Sequence, residues 1–227
     1  MKRKWPTETK GQRDGDLRKN FTSKQLEAIG AVTIAWNEVE IFLDIALEEA
    51  LWIPEAAWLH VSTRINGYDG KVAIIKELKR EYLADLGEDT WNHITLSLDG
   101  LTECKGFRDA VIHARAYDVP EGIGALIRKR AAKEQVLLTE PALNGLVDRL
   151  TALRLEFKQI VMLFDALRSL RLYYLQDKSP LERSIQVYAA RLQEHQTARR
   201  SLPPLPTFPR SRPKPPATEG PPPIVHS

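Results

Sequence analysis

Cysteine is almost absent: Cys104 is the one thiol in 227 residues. An intramolecular disulfide and a cysteine-based zinc site are therefore excluded. A reduced, cytoplasmic setting is the natural expectation. Long apolar runs are missing too. No stretch reaches the ~20 uninterrupted apolar residues of a membrane span, and the opening MKRKWPTETKGQRDGD lacks the apolar core of a secretory signal. The patterns H-E-x-x-H, G-x-x-x-x-G-K-[ST] and G-x-S-x-G do not occur, which leaves zinc protease, P-loop NTPase and α/β-hydrolase readings without support. Histidine never recurs at metal-ligand spacing. His60 and His93 fall on separate predicted helices, His195 on a polar one and His226 in the tail, so neither metal nor cofactor is expected. There is no internal repeat.

Apolar residues make up 43% of the chain, enough for one packed domain with extensions. The net charge of +3 conceals a division. Residues 1–20 carry a net +4, residues 197–227 another +4, and the stretch between them −5. A mildly acidic core is thus flanked by basic tails. Such tails keep a chain soluble and also raise its nonspecific affinity for RNA or DNA.

Helix signals dominate, and they predict an all-α, up-and-down helical bundle. Thr22 is the expected N-cap of the first helix, with Gln25 completing a capping box and Phe21 and Leu26 a hydrophobic staple. No breaker follows until Pro54. Leu26, Ile29, Trp36, Val39, Leu43, Ala46 and Ala50 keep a 3.6-residue period. Ile34, Ile41 and Ile45 add a second apolar stripe, as expected of a central helix or of one that also meets another subunit. A short helix with Trp58 and Leu59 follows Pro54. A turn is predicted over Asn66–Gly70, with Asp69 capping a third helix through about Leu83. Another turn is predicted over Leu86–Asp89, and a fourth helix from Asp89 carries Trp91, Ile94, Leu96, Leu98 and Leu101. Trp36, Trp58 and Trp91 are read as packing residues. Gly106 then either kinks or restarts the helix.

Pro120, Gly122 and Gly124 break the helical pattern, and Ala125–Lys129 can pair with Gln135–Leu138 as a small β-hairpin across Arg130–Glu134. Thr139 caps a long helix whose apolar stripe runs from Leu143 through Phe157 to Tyr174. Ser179-Pro180-Leu181-Glu182 reads as a further capping box with Pro at N1, opening a helix to about Arg199. Ten of the fifteen prolines fall after residue 200, so the end of the chain is expected to be disordered. Pro203–Pro206 and Pro213–Pro216 also fit the P-x-x-P pattern of polyproline ligands. The expected organisation is a basic tail over 1–20, a bundle over 21–176 with a hairpin insertion within 117–138, a helix over 179–200 and a Pro-rich tail over 201–227.

The stretch Arg108-Asp109-Ala110-Val111-Ile112-His113 brings a fixed cation, a carboxylate and an imidazole within six residues. Imidazole moves protons near neutral pH, and guanidinium holds phosphate through a fork of donors. Attack of a ribose 2′-OH on the adjacent phosphate needs a base, an acid and stabilisation of the phosphoryl oxygens. His113 suits the first two roles, Arg108 the third, and Asp109 an orienting role. The same residues also read as surface charge at a helix end. Glu40 and Asp44 are candidates to line a cleft or bind Arg108, and equally read as a solvated face. Positions five apart on a helix lie about 140° apart. Either the helix is irregular near Gly106, or two chains combine their motifs about a two-fold axis.

Arg108, Asp109 and His113, together with the W-x-x-V-E segment Trp36–Glu40 on a long first helix, resemble the HEPN superfamily of small helical proteins, which share an R-x(4–6)-H motif. The resemblance covers about residues 21–176. It implies a metal-independent endoribonuclease, a homodimer with one composite cleft, and a toxin or anti-phage defence setting with an antitoxin or other partner protein. Arg108 and His113 would be catalytic, with Asp109 at the polar position. Many members place Asn after the Arg, where this chain has Asp109. Some toxin members continue H-x-Y, where this chain has Arg115, so regulation through that tyrosine does not transfer. Other members are inactive, and the competing expectation is a non-catalytic adaptor whose Pro-rich tail recruits a partner.

Overall fold

The computed structural model describes residues 21–65, 67–113, 115–119, 122–129, 132–172 and 178–205, with the backbone alone for Glu55, His113 and the residues of the sheet. Among the described residues six helices form an all-α bundle: α1 Ser23–Leu51, α2 Glu55–Ser62, α3 Gly67–Glu77, α4 Lys79–His113, α5 Glu140–Leu172 and α6 Ser179–Arg200. Three short strands, β1 Arg115–Val119, β2 Gly122–Lys129 and β3 Ala132–Leu137, are inserted between α4 and α5. No helix among the described residues is long and apolar enough to cross a membrane.

Side-chain pairs fix the helix directions. Arg154 and Arg168 of α5 meet Glu38 and Glu49 of α1 at 2.8 and 3.0 Å, so these helices run parallel. Among the described residues these two helices pack together most extensively. On α4, Tyr82 lies near Ala50 and Arg108 near Trp36, so α4 opposes α1. Ser97 bonds Glu156 and Arg171 pairs with Asp85, so α4 opposes α5 as well. Arg199 reaches Glu156 while Arg149 reaches Leu202 and Pro203, so α6 opposes α5. The long helices therefore alternate in direction along the chain.

The first helix begins as its sequence dictates. Thr22 Oγ1 accepts from the Gln25 amide and Gln25 Oε1 from the Thr22 amide, closing the capping box. The helix ends before Pro54, with Trp52 in the left-handed region at φ 57°. Val32, Trp36, Val39, Leu43, Ala46 and Ala50 are buried, whereas Leu26 is 38% exposed. The second stripe stays outside the core: Ile34 is 65% and Ile41 57% exposed. On α5, Thr139 caps as expected, and every apolar residue of the stripe from Leu143 to Leu167 is buried. Tyr174 lies outside the described residues.

Several boundaries differ from expectation. Helix α3 starts at Gly67, so Asp69 sits in its first turn and pairs with Lys105 rather than capping. It stops at Glu77, and α4 begins two residues later. Gly87, with φ 75° and ψ 161°, kinks α4 within the predicted Leu86–Asp89 turn. Gly106 neither kinks nor restarts the helix, because Cys104, Phe107, Ala110 and Val111 around it are buried and hold the turn in place. Ser179 is the first residue of α6 and not its cap, so the second capping box does not form. Where a two-stranded hairpin is expected, a three-stranded antiparallel meander lies in the order β1-β2-β3. The β2–β3 pairing already includes Ala132, Lys133 and Glu134, with Lys129 opposite Ala132, so Arg130–Glu134 is not all connection as expected.

Helix α6 packs along α5 and α4 through a buried polar network. Arg199 Nε donates to Glu156 Oε1 at 2.6 Å, and the Ser97 hydroxyl donates to Glu156 Oε2 at 2.8 Å. Gln196 donates to Ser97 Oγ at 2.8 Å and meets His93 Nδ1 at 2.6 Å. After α6 the chain turns back over α5. Arg149 donates to the carbonyls of Leu202 and Pro203, and Leu205 is buried. The first P-x-x-P segment is thus docked, over Pro203–Leu205, on its own bundle. Residues 1–20 and 206–227, expected as disordered tails, lie outside the described residues.

Candidate functional site

The candidate residues sit in the last two turns of α4. Since Gly106 leaves the helix unbroken at that point, Arg108 lies near its C-terminal end. The surroundings that hold it come from α1 and α3. Its guanidinium carbon lies 5.1 Å from the centre of the Trp36 ring, and Nη1 donates to Asp109 Oδ1 at 2.9 Å. Its side chain is 25% exposed, and Nε is buried with no hydrogen-bond partner among the described residues. Stacking on indole suits the weakly hydrated guanidinium. It also removes most rotamer freedom from one edge of the group while its rim reaches solvent.

Trp36 is itself wedged against Tyr68, with ring centres 5.7 Å apart. The Tyr68 hydroxyl shares a 2.9 Å hydrogen bond with Thr102. Burial pushes the Tyr68 phenol far above its ordinary value, so it carries no charge near neutral pH. Lys105 lies 5.4 Å from the centre of the Tyr68 ring, pairs with Asp69 at 2.9 Å and stands 4.0 Å from Asp109. Two cations and two carboxylates thus alternate over an aromatic floor. Asp109 is the carboxylate that engages Arg108. Asp44 pairs with Lys71 at 2.6 Å instead. Cys104 is no nucleophile here, since burial pushes its thiol up to about 12.

His113 is the final residue of α4, and its side chain lies outside the described residues. Five positions along a regular helix correspond to about 140° of rotation and roughly 7.5 Å of rise. The irregular-helix alternative is removed, so one copy of α4 does not set Arg108 and His113 side by side. Arg171 stacks on Tyr82 and Trp52 in much the same way as Arg108 on Trp36. It is therefore the neighbourhood of His113, not stacking as such, that distinguishes Arg108. Among the described residues no three His, Cys, Asp or Glu side chains converge as metal ligands. His93 holds α6 through Gln196, and His60 is exposed.

Sequence reasoning misses the floor of this site. Trp36 reads as plain core, and nothing in the spacing of Tyr68 or Lys105 connects them to Arg108. The chain matches no family model, no curated protein and no solved structure.

Proposed function

We propose that the chain is a metal-independent endoribonuclease, HEPN-like in its site, that works as a homodimer. The observation that carries this reading is a guanidinium fixed on Trp36 five residues before the histidine that ends the same helix, with no break between the two. One His113 per chain serves as base or acid, not both, and two copies of α4 about a two-fold axis supply the pair. Exposed apolar residues suit such a second copy: Ile34 and Ile41 on α1, and Ile112, 36% exposed, beside His113.

In the proposed reaction one His113 removes the proton of a ribose 2′-OH. The 2′ oxygen bonds to phosphorus, and the bond from phosphorus to the 5′ oxygen breaks. The second His113 protonates that leaving oxygen. The products are a 2′,3′-cyclic phosphate and a 5′-hydroxyl end. Arg108 stabilises the charge that grows on the phosphoryl oxygens. A cytoplasmic toxin or phage-defence setting, with an antitoxin or other partner protein, belongs to the same proposal. Its test is RNA cleavage in EDTA, with cyclic-phosphate ends, that Arg108→Ala and His113→Ala abolish without loss of fold. Cleavage surviving both substitutions removes the proposal.

Asp109 sharpens the reading. Its carboxylate occupies Arg108 Nη1 and opposes an incoming phosphate. Asp109→Asn keeps the shape and removes the charge. Because the pair is partly exposed, the expected gain in kcat/KM on RNA is modest, about two- to fivefold. A fall in kcat/KM would instead assign Asp109 a direct part in the reaction.

A further inference from the structure

The inserted sheet divides its charges by face. Arg115 is paired with Leu126, and Arg128 with Lys133. Alternate residues of a strand share a face, so Leu126 and Arg128 lie on the same side. The register therefore sets Arg115, Arg128 and Lys133 on one face, spread over all three strands. Tyr117 and Gln135 share this face, with Val119, Leu126 and Leu137 among them. No acidic residue of the strands does. Asp118 and Glu134 fall on the opposite face with Lys129, beside Ile123, Ile127 and Val136.

Such segregation has a cost. Arg128 and Lys133 stand directly opposite each other across an antiparallel pair, where Cβ atoms are about 5 Å apart and like charges destabilise. Arg115 is diagonal to Arg128, at about 7–8 Å. An anion repeating at a similar interval offsets this repulsion, and a single strand of RNA is such an anion. Tyr117 adds a surface on which a base can stack. Its register partner is Gly124, which contributes no side chain at that position. The location also fits. β1 begins two residues after His113, and β2 packs against α4.

We infer that the face of the sheet carrying Arg115, Arg128, Lys133 and Tyr117 binds single-stranded RNA through its phosphates and one stacked base. This deepens the proposed function and rests on it only for the fate of the strand, since binding here requires no cleavage. The three cations track the backbone, and Tyr117 tolerates any base because every base offers a π-face. Recognition on this face is therefore electrostatic and weakly sequence-dependent.

The test uses the full chain carrying His113→Ala and a fluorescein-labelled oligouridylate, followed by anisotropy across a salt series. Neutralising Arg115, Arg128 and Lys133 to Gln together is expected to weaken binding more than about tenfold and to flatten the log–log salt slope by about 2. A control chain with Lys24, Lys158 and Arg191 changed to Gln has the same net charge and should keep the slope. Tyr117→Ala should weaken binding by about fivefold or more without changing the slope. Lys133→Gln alone, which relieves the repulsion with Arg128, guards against misfolding of the triple variant and should flatten the slope by about 0.7. Equal slopes in the triple variant and the control overturn the inference. So does binding of phosphatidylserine vesicles, but not the oligonucleotide, through the same three residues. RNA held on this face but never cut by the chain with His113 intact would keep the inference and remove the nuclease. RNA cut equally well by a triple variant on the His113 background would do the reverse.

Discussion

Glu156→Ala lowers the thermal midpoint by on the order of 10 °C. Glu156 is wholly buried on α5, and its two oxygens are held by Arg199 from α6 and Ser97 from α4. Arg199 is 8% exposed and also donates to the Leu96 carbonyl at 3.2 Å. A buried ion pair need not stabilise a fold relative to apolar residues, but removing one partner strands the other charge and costs about 3–5 kcal/mol. Alanine at 156 leaves the guanidinium facing an empty socket between three helices. Gly100 is part of the same arrangement. A Cβ there would clash with the Arg199 guanidinium, so glycine lets that group lie against α4. Glu156→Gln keeps the acceptor for Ser97 and should fall between wild type and alanine. The double variant Glu156→Leu, Arg199→Met should recover most of the loss, because neither charge then remains buried. Thermal melts followed by circular dichroism measure all three. A shift of under about 2 °C for Glu156→Ala would show that the pair does not fasten α6 to the bundle.

His113→Ala and Arg108→Ala each lower RNA cleavage by a factor of about 10² or more. The two losses have different origins. Without the imidazole there is no group at the end of α4 to move protons near neutral pH. Without the guanidinium the phosphoryl oxygens lose a donor whose position is set by Trp36 before substrate arrives. Arg108→Lys separates charge from geometry. Lysine keeps the charge but has no planar fork and stacks poorly on indole, so it should recover only a small part of the rate. Melting curves of the same variants check the fold. His113→Ala, at a helix end, should melt near wild type. Arg108→Ala forfeits the contact with Trp36 and should melt slightly lower. Variants that stay folded and still cut RNA at the wild-type rate would take the nuclease reading away.

The bundle was legible wherever local chemistry and burial agree. The capping box at Thr22 and the stripe of α5 are of this kind. The two glycines of α4 show the limit of local signals. Gly87 and Gly106 both interrupt a helical pattern, but only Gly87 breaks the backbone, because Gly106 sits among buried neighbours that carry the helix through. Tertiary packing outweighs the propensity cost of about 1 kcal/mol for a glycine in a helix. Helix α6 misleads for the opposite reason. Its sequence reads as a polar helix, yet Gln196 and Arg199 are buried, since Glu156, Ser97 and His93 satisfy them from other helices. β1 was missed because Arg115–Val119 is short and holds no clear alternation on its own. At the site, the motif itself was visible and its setting was not. The contact of Trp36 with Arg108 joins helices far apart in sequence, and no spacing rule reports it.

Subunit mixing tests the composite centre most directly. Wild-type chains are held at fixed concentration in EDTA and co-refolded with increasing amounts of His113→Ala chains, and the initial rate of RNA cleavage is recorded. If each active centre needs a histidine from both chains, mixed dimers are dead, and a ninefold excess lowers the rate to about a tenth. A rate that stays constant as inactive chains are added would mean that one chain carries the whole reaction, and the two-copy account would fail.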